Sequence, residues 1–257
     1  MNKIEAVFKG KTKPVFIGYL MAGHPTLEQT PLLVKAMEEG GADIVEIGIP
    51  YSDPLADGPI IQAAGQKALL GGATVDRIFD RMPAVKEVSD IPLIFMVYFS
   101  TIYQYGIKRF INRCIVAGID GLIIPDMPLE ERDEILPLLG SDLAFIPLVA
   151  PTSKERITGI ILGASGFVYC VSSLGVTGEN GHFHPDLLEY LRDVRQLSEL
   201  PIAVGFGISK REDIINLAPY TDGVIVGTAL VKAISESDGN PDVLRKKVSE
   251  LTDKHSQ

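Results

Sequence analysis

Eight short apolar runs recur along the chain at near-regular spacing, each followed by a polar stretch of helical character. The runs are Val15–Gly23, Ala42–Pro50, Pro92–Ser100, Asp120–Asp126, Leu143–Pro151, Gly166–Ser173, Pro201–Ser209 and Asp222–Leu230. Their Val, Ile, Leu and Phe residues are nearly continuous, which suits parallel strands buried on both faces. Parallel neighbours need a crossover, usually a helix. The intervening segments fit that need: Thr26 to Glu39 ends at Gly40-Gly41, and Ser209 to Glu212 has capping-box spacing. Eight such units in 257 residues predict one domain, residues 1–257, folded as an α/β (β/α)8 TIM barrel. An open doubly wound sheet is the alternative. Two connections are longer than the rest, from Tyr51 to Ile60 after the second run and from Leu174 to Pro185 after the sixth. Loops that follow strands lie at the C-terminal mouth of a barrel, so function is expected there.

Composition narrows the class of partner. A hydrophobic fraction of 46% is enough for a substantial core. The net charge of -9 repels a nucleic-acid backbone, yet backbone N–H groups can still hold a single phosphate. The two cysteines, Cys114 and Cys170, form no C-x-x-C pair and read as free thiols of a reducing compartment. The first residues lack the apolar region of a signal peptide, and the longest apolar stretch, Pro92–Phe99, is too short to span a bilayer. These features predict a cytoplasmic protein without membrane or nucleic-acid partners.

Glu46 stands in the middle of the second run, where an ionised side chain is costly unless paired or partly protonated. Either it pairs with a buried cation or desolvation tunes it as a general acid–base, and none of the eight runs supplies a cation. Asp53 and Asp57 lie in the following loop as Asp-Pro and Asp-Gly turn dipeptides, so each has a turn-forming reading too. A buried and a partly wet carboxyl eleven residues apart also make a recurrent acid–base arrangement. Gly205-Phe206-Gly207 ends the seventh run and Gly227-Thr228 interrupts the eighth. Such glycines either permit tight turns or let backbone approach a phosphate at helix N-termini, and loops seven and eight are the usual phosphate site of this fold. Tyr19, Tyr98 and Tyr169 lie in the first, third and sixth runs, and either pack or line a pocket for a flat aromatic ligand. The Leu174–His184 loop, with Gly175, Gly178 and Gly181, reads as a lid. His182 and His184 have no obvious third ligand, so no metal is expected.

The stretch from Glu46 through Ile47-Gly48-Ile49-Pro50-Tyr51-Ser52-Asp53-Pro54-Leu55-Ala56-Asp57 to Gly58-Pro59 resembles that of tryptophan synthase alpha subunits. The likeness continues in order through Gly23-His24-Pro25, Ile124-Pro125-Asp126, Gly175-Val176-Thr177-Gly178 and Gly205 to Ser209. It implies a lyase that splits indole-3-glycerol phosphate into indole and glyceraldehyde 3-phosphate. Glu46 would then handle the proton at the breaking bond, and Asp57 would accept the indole N–H and stabilise positive charge on the ring. Tyr169 would sit beside the reacting carbons, Tyr19 would occupy an indole-pocket position often held by Phe, and Gly178, Phe206, Gly207, Gly227 and Thr228 would bind phosphate. The resemblance further implies a beta subunit in an alpha2beta2 tetramer, docked over the mouth near Asp53 and Pro54. Pyridoxal phosphate belongs to that partner, and no cofactor or metal is implied for this chain. His24, Ser100, Ser173 and Thr228 depart from the commoner pattern, the first three at the expected rim or lid. A stand-alone indole-releasing lyase and a non-catalytic regulatory barrel subunit are the rival readings. Loss of Glu46 or Asp57 would mark the second, and both are present.

Overall fold

The computed structural model describes residues 2–171, 187–205 and 207–254. All eight runs contain strand, and the structure has nine strands because the fifth run is cut in two. They are β1 (Val15–Met21), β2 (Ile44–Gly48), β3 (Leu93–Met96), β4 (Gly121–Ile123) and β5 (Ala144–Ile146). The remainder are β6 (Leu148–Val149), β7 (Val168–Val171), β8 (Ile202–Gly205) and β9 (Gly223–Val226). Pro147 causes the cut, since it has no N–H to give to a ladder. Its carbonyl still accepts from Tyr169 N at 2.9 Å. Every pairing is parallel, in the order β5-β4-β3-β2-β1-β9-β8-β7-β6. The two outer members, β5 and β6, are joined through Pro147 alone, so the sheet closes into a barrel.

Helices alternate with the strands. The first six are α1 (Lys3–Phe8), α2 (Thr30–Gly40), α3 (Pro59–Leu70), α4 (Val75–Val88), α5 (Phe99–Tyr105) and α6 (Ile107–Val116). Then come α7 (Arg132–Leu139), α8 (Ile157–Ile161), α9 (Leu187–Leu197), α10 (Arg211–Leu217), α11 (Thr228–Glu236) and α12 (Pro241–Thr252). Residues 49–58 form the long loop expected after the second strand, whereas the lid expected at Leu174–His184 lies outside the described residues. The capping box expected at Ser209 and Glu212 is displaced by one residue. Lys210 is the N-cap of α10, and the Asp213 carboxylate accepts from the N–H groups of Ser209 and Lys210, both at 3.0 Å.

Register separates the two faces of strands that look uniformly apolar in sequence. Tyr19 pairs with Glu46, Glu46 with Ile94, and Tyr169 with Ala203, so these residues share the inner face. Residues between them face the helices. A Cβ on Gly18 would lie 3.1 Å from Met37 Sδ and 3.3 Å from Leu230 Cδ1, because α2 and α11 press closely on β1.

The N-terminal end of the barrel is plugged. Ile4 of α1 is fully buried, and a Cβ on inward-facing Gly121 would come within 2.6 Å of its Cδ1. The Asn2 side chain caps the helix at 2.8 Å, while Glu5 accepts from Gly166 N at 3.2 Å. Three aspartates fix the same end. Asp43, Asp120 and Asp222 each precede a strand and accept from a backbone N–H of the neighbouring strand, at Phe16, Leu93 and Ile202. Each also meets a cation: Lys11 on Asp43, Lys3 and Lys86 on Asp120, Arg195 on Asp222. With that end closed, the opposite mouth is left for chemistry.

Candidate active site

Glu46 projects from the middle of β2 into the barrel and is 1% exposed. Neither carboxylate oxygen has a hydrogen-bond partner among the described residues. The buried cation that a structural reading required is therefore not found beside it among the described residues. Burial, and secondarily the charge of Asp57, push the Glu46 carboxyl up to about 8. At neutral pH it holds its proton.

Asp57 arrives from the loop that follows the same strand and is 8% exposed. Burial pushes it up to about 6, opposed by a hydrogen bond from Tyr98. The loop is tied down at several points: Gln62 Nε2 donates to the Asp57 carbonyl at 2.8 Å and to that of Pro54 at 3.4 Å. Ala56 N–H donates to the Tyr98 hydroxyl at 3.0 Å. Two carboxyls in one pocket thus have well-separated protonation, so at pH 7 one is an acid and the other an anion.

Tyr19 and Tyr169 complete the inner layer. Both are buried, and desolvation drives their hydroxyls far above the usual phenol range, reinforced by the charges of Glu46 and Asp57. Their rings fit because two strand residues lack a Cβ. On Gly48 of β2, one carbon position beyond Cα would overlap the Tyr19 hydroxyl, and on Gly205 of β8 it would overlap that of Tyr169. Sequence reading named neither glycine for this job. Ile61 of α3 was also missed. It meets a Cβ position on Gly227 at 3.7 Å, beside Tyr19 at 3.6 Å.

The expected phosphate residues are partly described. Gly207 has φ +83° and open space where a Cβ would stand, a conformation that L side chains rarely adopt. Gly227 is the N-cap of α11 and Thr228 its first residue, so free N–H groups and the positive helix end face the mouth beside Tyr19. Gly178 and Phe206 lie outside the described residues, as do Ser173, His182 and His184. Asp53 is exposed and Pro54 half-buried at the rim, with Leu55 between them and Asp57 at 80% exposure.

Two further residues are placed by their contacts. Tyr98, expected either to pack or to line the pocket, packs its ring on Tyr51 at 4.9 Å while its hydroxyl is engaged by Ala56 and Asp57 at the site. His24, expected at the rim, is 2% exposed, with Nε2 2.8 Å from Ser235 Oγ of α11. Burial and Lys67 lower its basicity. The Ser100 hydroxyl is buried in α5 without a hydrogen-bond partner among the described residues. No group of three or more metal-ligating side chains occurs among the described residues, and no described helix is long and apolar enough to cross a membrane.

The sequence and the architecture have close counterparts. A family model described as tryptophan synthase alpha chain matches residues 6–257. The tryptophan synthase alpha chain of Clostridium kluyveri is 47% identical over 250 residues, covering 96% of this chain and 95% of that one. That of Caldanaerobacter subterraneus subsp. tengcongensis is 46% identical, with 96% and 95% covered. Among solved structures, Mycobacterium tuberculosis tryptophan synthase superposes with a TM-score of 0.89 at 34% identity, covering 98% of this chain and 97% of that chain.

Proposed function

The chain belongs to the tryptophan synthase alpha chain family, and from that premise we propose how its barrel mouth works. The enzyme is an aldolase-type carbon–carbon lyase of tryptophan biosynthesis that cleaves indole-3-glycerol phosphate to indole and glyceraldehyde 3-phosphate. Protonated Glu46 gives its proton to the indole carbon that carries the glycerol chain. Asp57, as the anion, accepts the indole N–H and balances the positive charge that protonation puts on the ring. The Glu46 carboxylate then takes the proton of the adjacent glycerol hydroxyl. That O–H pair becomes the aldehyde C=O, the C–C bond breaks, and its electrons return to the ring to restore indole. The proton count closes, since Glu46 ends as it began.

The observation that carries this assignment is the buried Glu46 carboxyl with no hydrogen-bond partner among the described residues, in the same pocket as Asp57. Tyr169 stands beside the reacting carbons, and Tyr19 and Ile61 bound the indole. Gly207, Gly227 and Thr228, together with Gly178 and Phe206, receive the phosphate. The pair supplies both proton transfer and charge stabilisation, so the reading requires no cofactor or metal in this chain. A beta chain is the partner that family membership implies. It docks over the mouth at Asp53, Pro54 and the exposed Leu55, supplies pyridoxal phosphate and completes an alpha2beta2 tetramer in the cytoplasm.

The direct test is release of indole and glyceraldehyde 3-phosphate by the purified chain, with and without a tryptophan synthase beta chain. Slow release that accelerates with the partner is expected. Equally fast release without it identifies a stand-alone lyase, and no release in either condition overturns the assignment.

A further inference from the structure

The loop that delivers Asp57 is gripped by one side chain from another strand. Tyr98 follows β3, two residues beyond Met96, and its ring is 5% exposed. The ring stacks on Tyr51, where the loop begins, with planes 25° apart. Its hydroxyl oxygen accepts the Ala56 N–H at 3.0 Å, which leaves the hydroxyl proton for the neighbouring Asp57 carboxylate. One phenol therefore touches the start of the loop, the backbone before Asp57, and the Asp57 side chain itself. The Gln62 contacts go to backbone carbonyls and leave the carboxylate free to turn.

We propose that Tyr98 is a positioning residue for the cleavage: its hydroxyl aims the Asp57 carboxylate at the indole N–H and supplies the hydrogen bond that the charged form needs. This inference rests on the role of Asp57 given above. The groups facing Asp57 come from four elements: Glu46 of β2, Tyr19 of β1, Tyr169 of β7 and Tyr98 after β3. Of these, Tyr98 is the one whose hydrogen bond opposes the effect of burial on Asp57. Burial, and then the charge of Asp57, keep the phenol in its neutral, donating form, with a smaller contribution from Asp126, which accepts from Phe99 N at 2.6 Å in the loop after β4.

The experiment compares wild type, Tyr98→Phe and Asp57→Asn in indole release across pH. Phenylalanine keeps the ring on Tyr51 and removes only the hydroxyl. The expected result for Tyr98→Phe is a kcat lower by roughly tenfold, the order of a lost hydrogen bond to a charged group, with KM little changed. The acid limb of its kcat/KM profile moves to higher pH. Carbon-13 NMR of the aspartate carboxyls, read in both folded proteins without substrate, should show Asp57 titrating higher in Tyr98→Phe, a readout independent of turnover. If Asp57→Asn is inactive while Tyr98→Phe shows an unmoved acid limb and unchanged Asp57 titration, the proposal is overturned and Asp57 keeps its role. A loss confined to KM does the same, and assigns Tyr98 to the pocket wall. Wild-type turnover by Asp57→Asn overturns the assignment of Asp57 and this proposal together.

Discussion

A carboxyl with no hydrogen-bond partner among the described residues, buried to 1% exposure, is a cost that a stability-optimised core would not carry. At Glu46 that cost is the source of the acid. Its folded-state value of about 8 and the value of about 6 for Asp57 define a working window. Below about 6, Asp57 takes up a proton and can no longer balance the ring; above about 8, Glu46 loses the proton it must donate. A profile of kcat/KM against pH is therefore expected to be bell-shaped with limbs near those two values, and a profile flat from pH 5 to 9 would contradict the assignment. Glu46 stood out in sequence because a charge inside an apolar strand run is costly, whereas Asp57, in an Asp-Gly dipeptide that also reads as a turn, was singled out chiefly by the family resemblance. Tyr98 was legible only as an aromatic near a strand end. Its grip on Ala56 and Asp57 joins residues 42 positions apart and depends on the closed barrel.

At the scale of elements, the strand runs were readable because parallel barrel strands are apolar on both faces and end in turn residues. The nine-strand count was not, since a single proline divides a run that otherwise behaves as one wall of the barrel. Nor was α1, whose six residues are too few to show a helical period. Gly205 was read as a turn or phosphate residue and Gly48 was given no role, yet both make room for phenol groups. This predicts different responses to one added methyl group. Gly48→Ala should destabilise the fold by about 1–3 kcal/mol through overlap with Tyr19. Gly65→Ala, inside α3 with its new Cβ at an ordinary 3.4 Å from Met21 Cε, should be neutral or stabilise by roughly 0.5–1 kcal/mol. Urea unfolding of both variants decides the point, and equal stabilities would remove the close packing of Tyr19 on β2.

The whole molecule is a barrel with unequal ends. One end is sealed by α1 and by three aspartates that bind neighbouring strands; the other carries the carboxyl pair, the glycine turns and the rim. The negative net charge argues against a nucleic-acid backbone as ligand without specifying a substrate, and the phosphate site proposed above relies on backbone at the mouth instead. Folding raises the Glu46 value from about 4.5 to about 8, so the cost of its burial is least at low pH and grows as pH rises between those values. The most direct test is Glu46→Gln, followed by both indole release and urea unfolding at several pH values. The account predicts that release is abolished while the variant exceeds wild type in stability at pH 8, by up to about 4 kcal/mol, with the difference shrinking toward pH 4.5. Wild-type release by the variant, or stability equal to wild type at every pH, would contradict it.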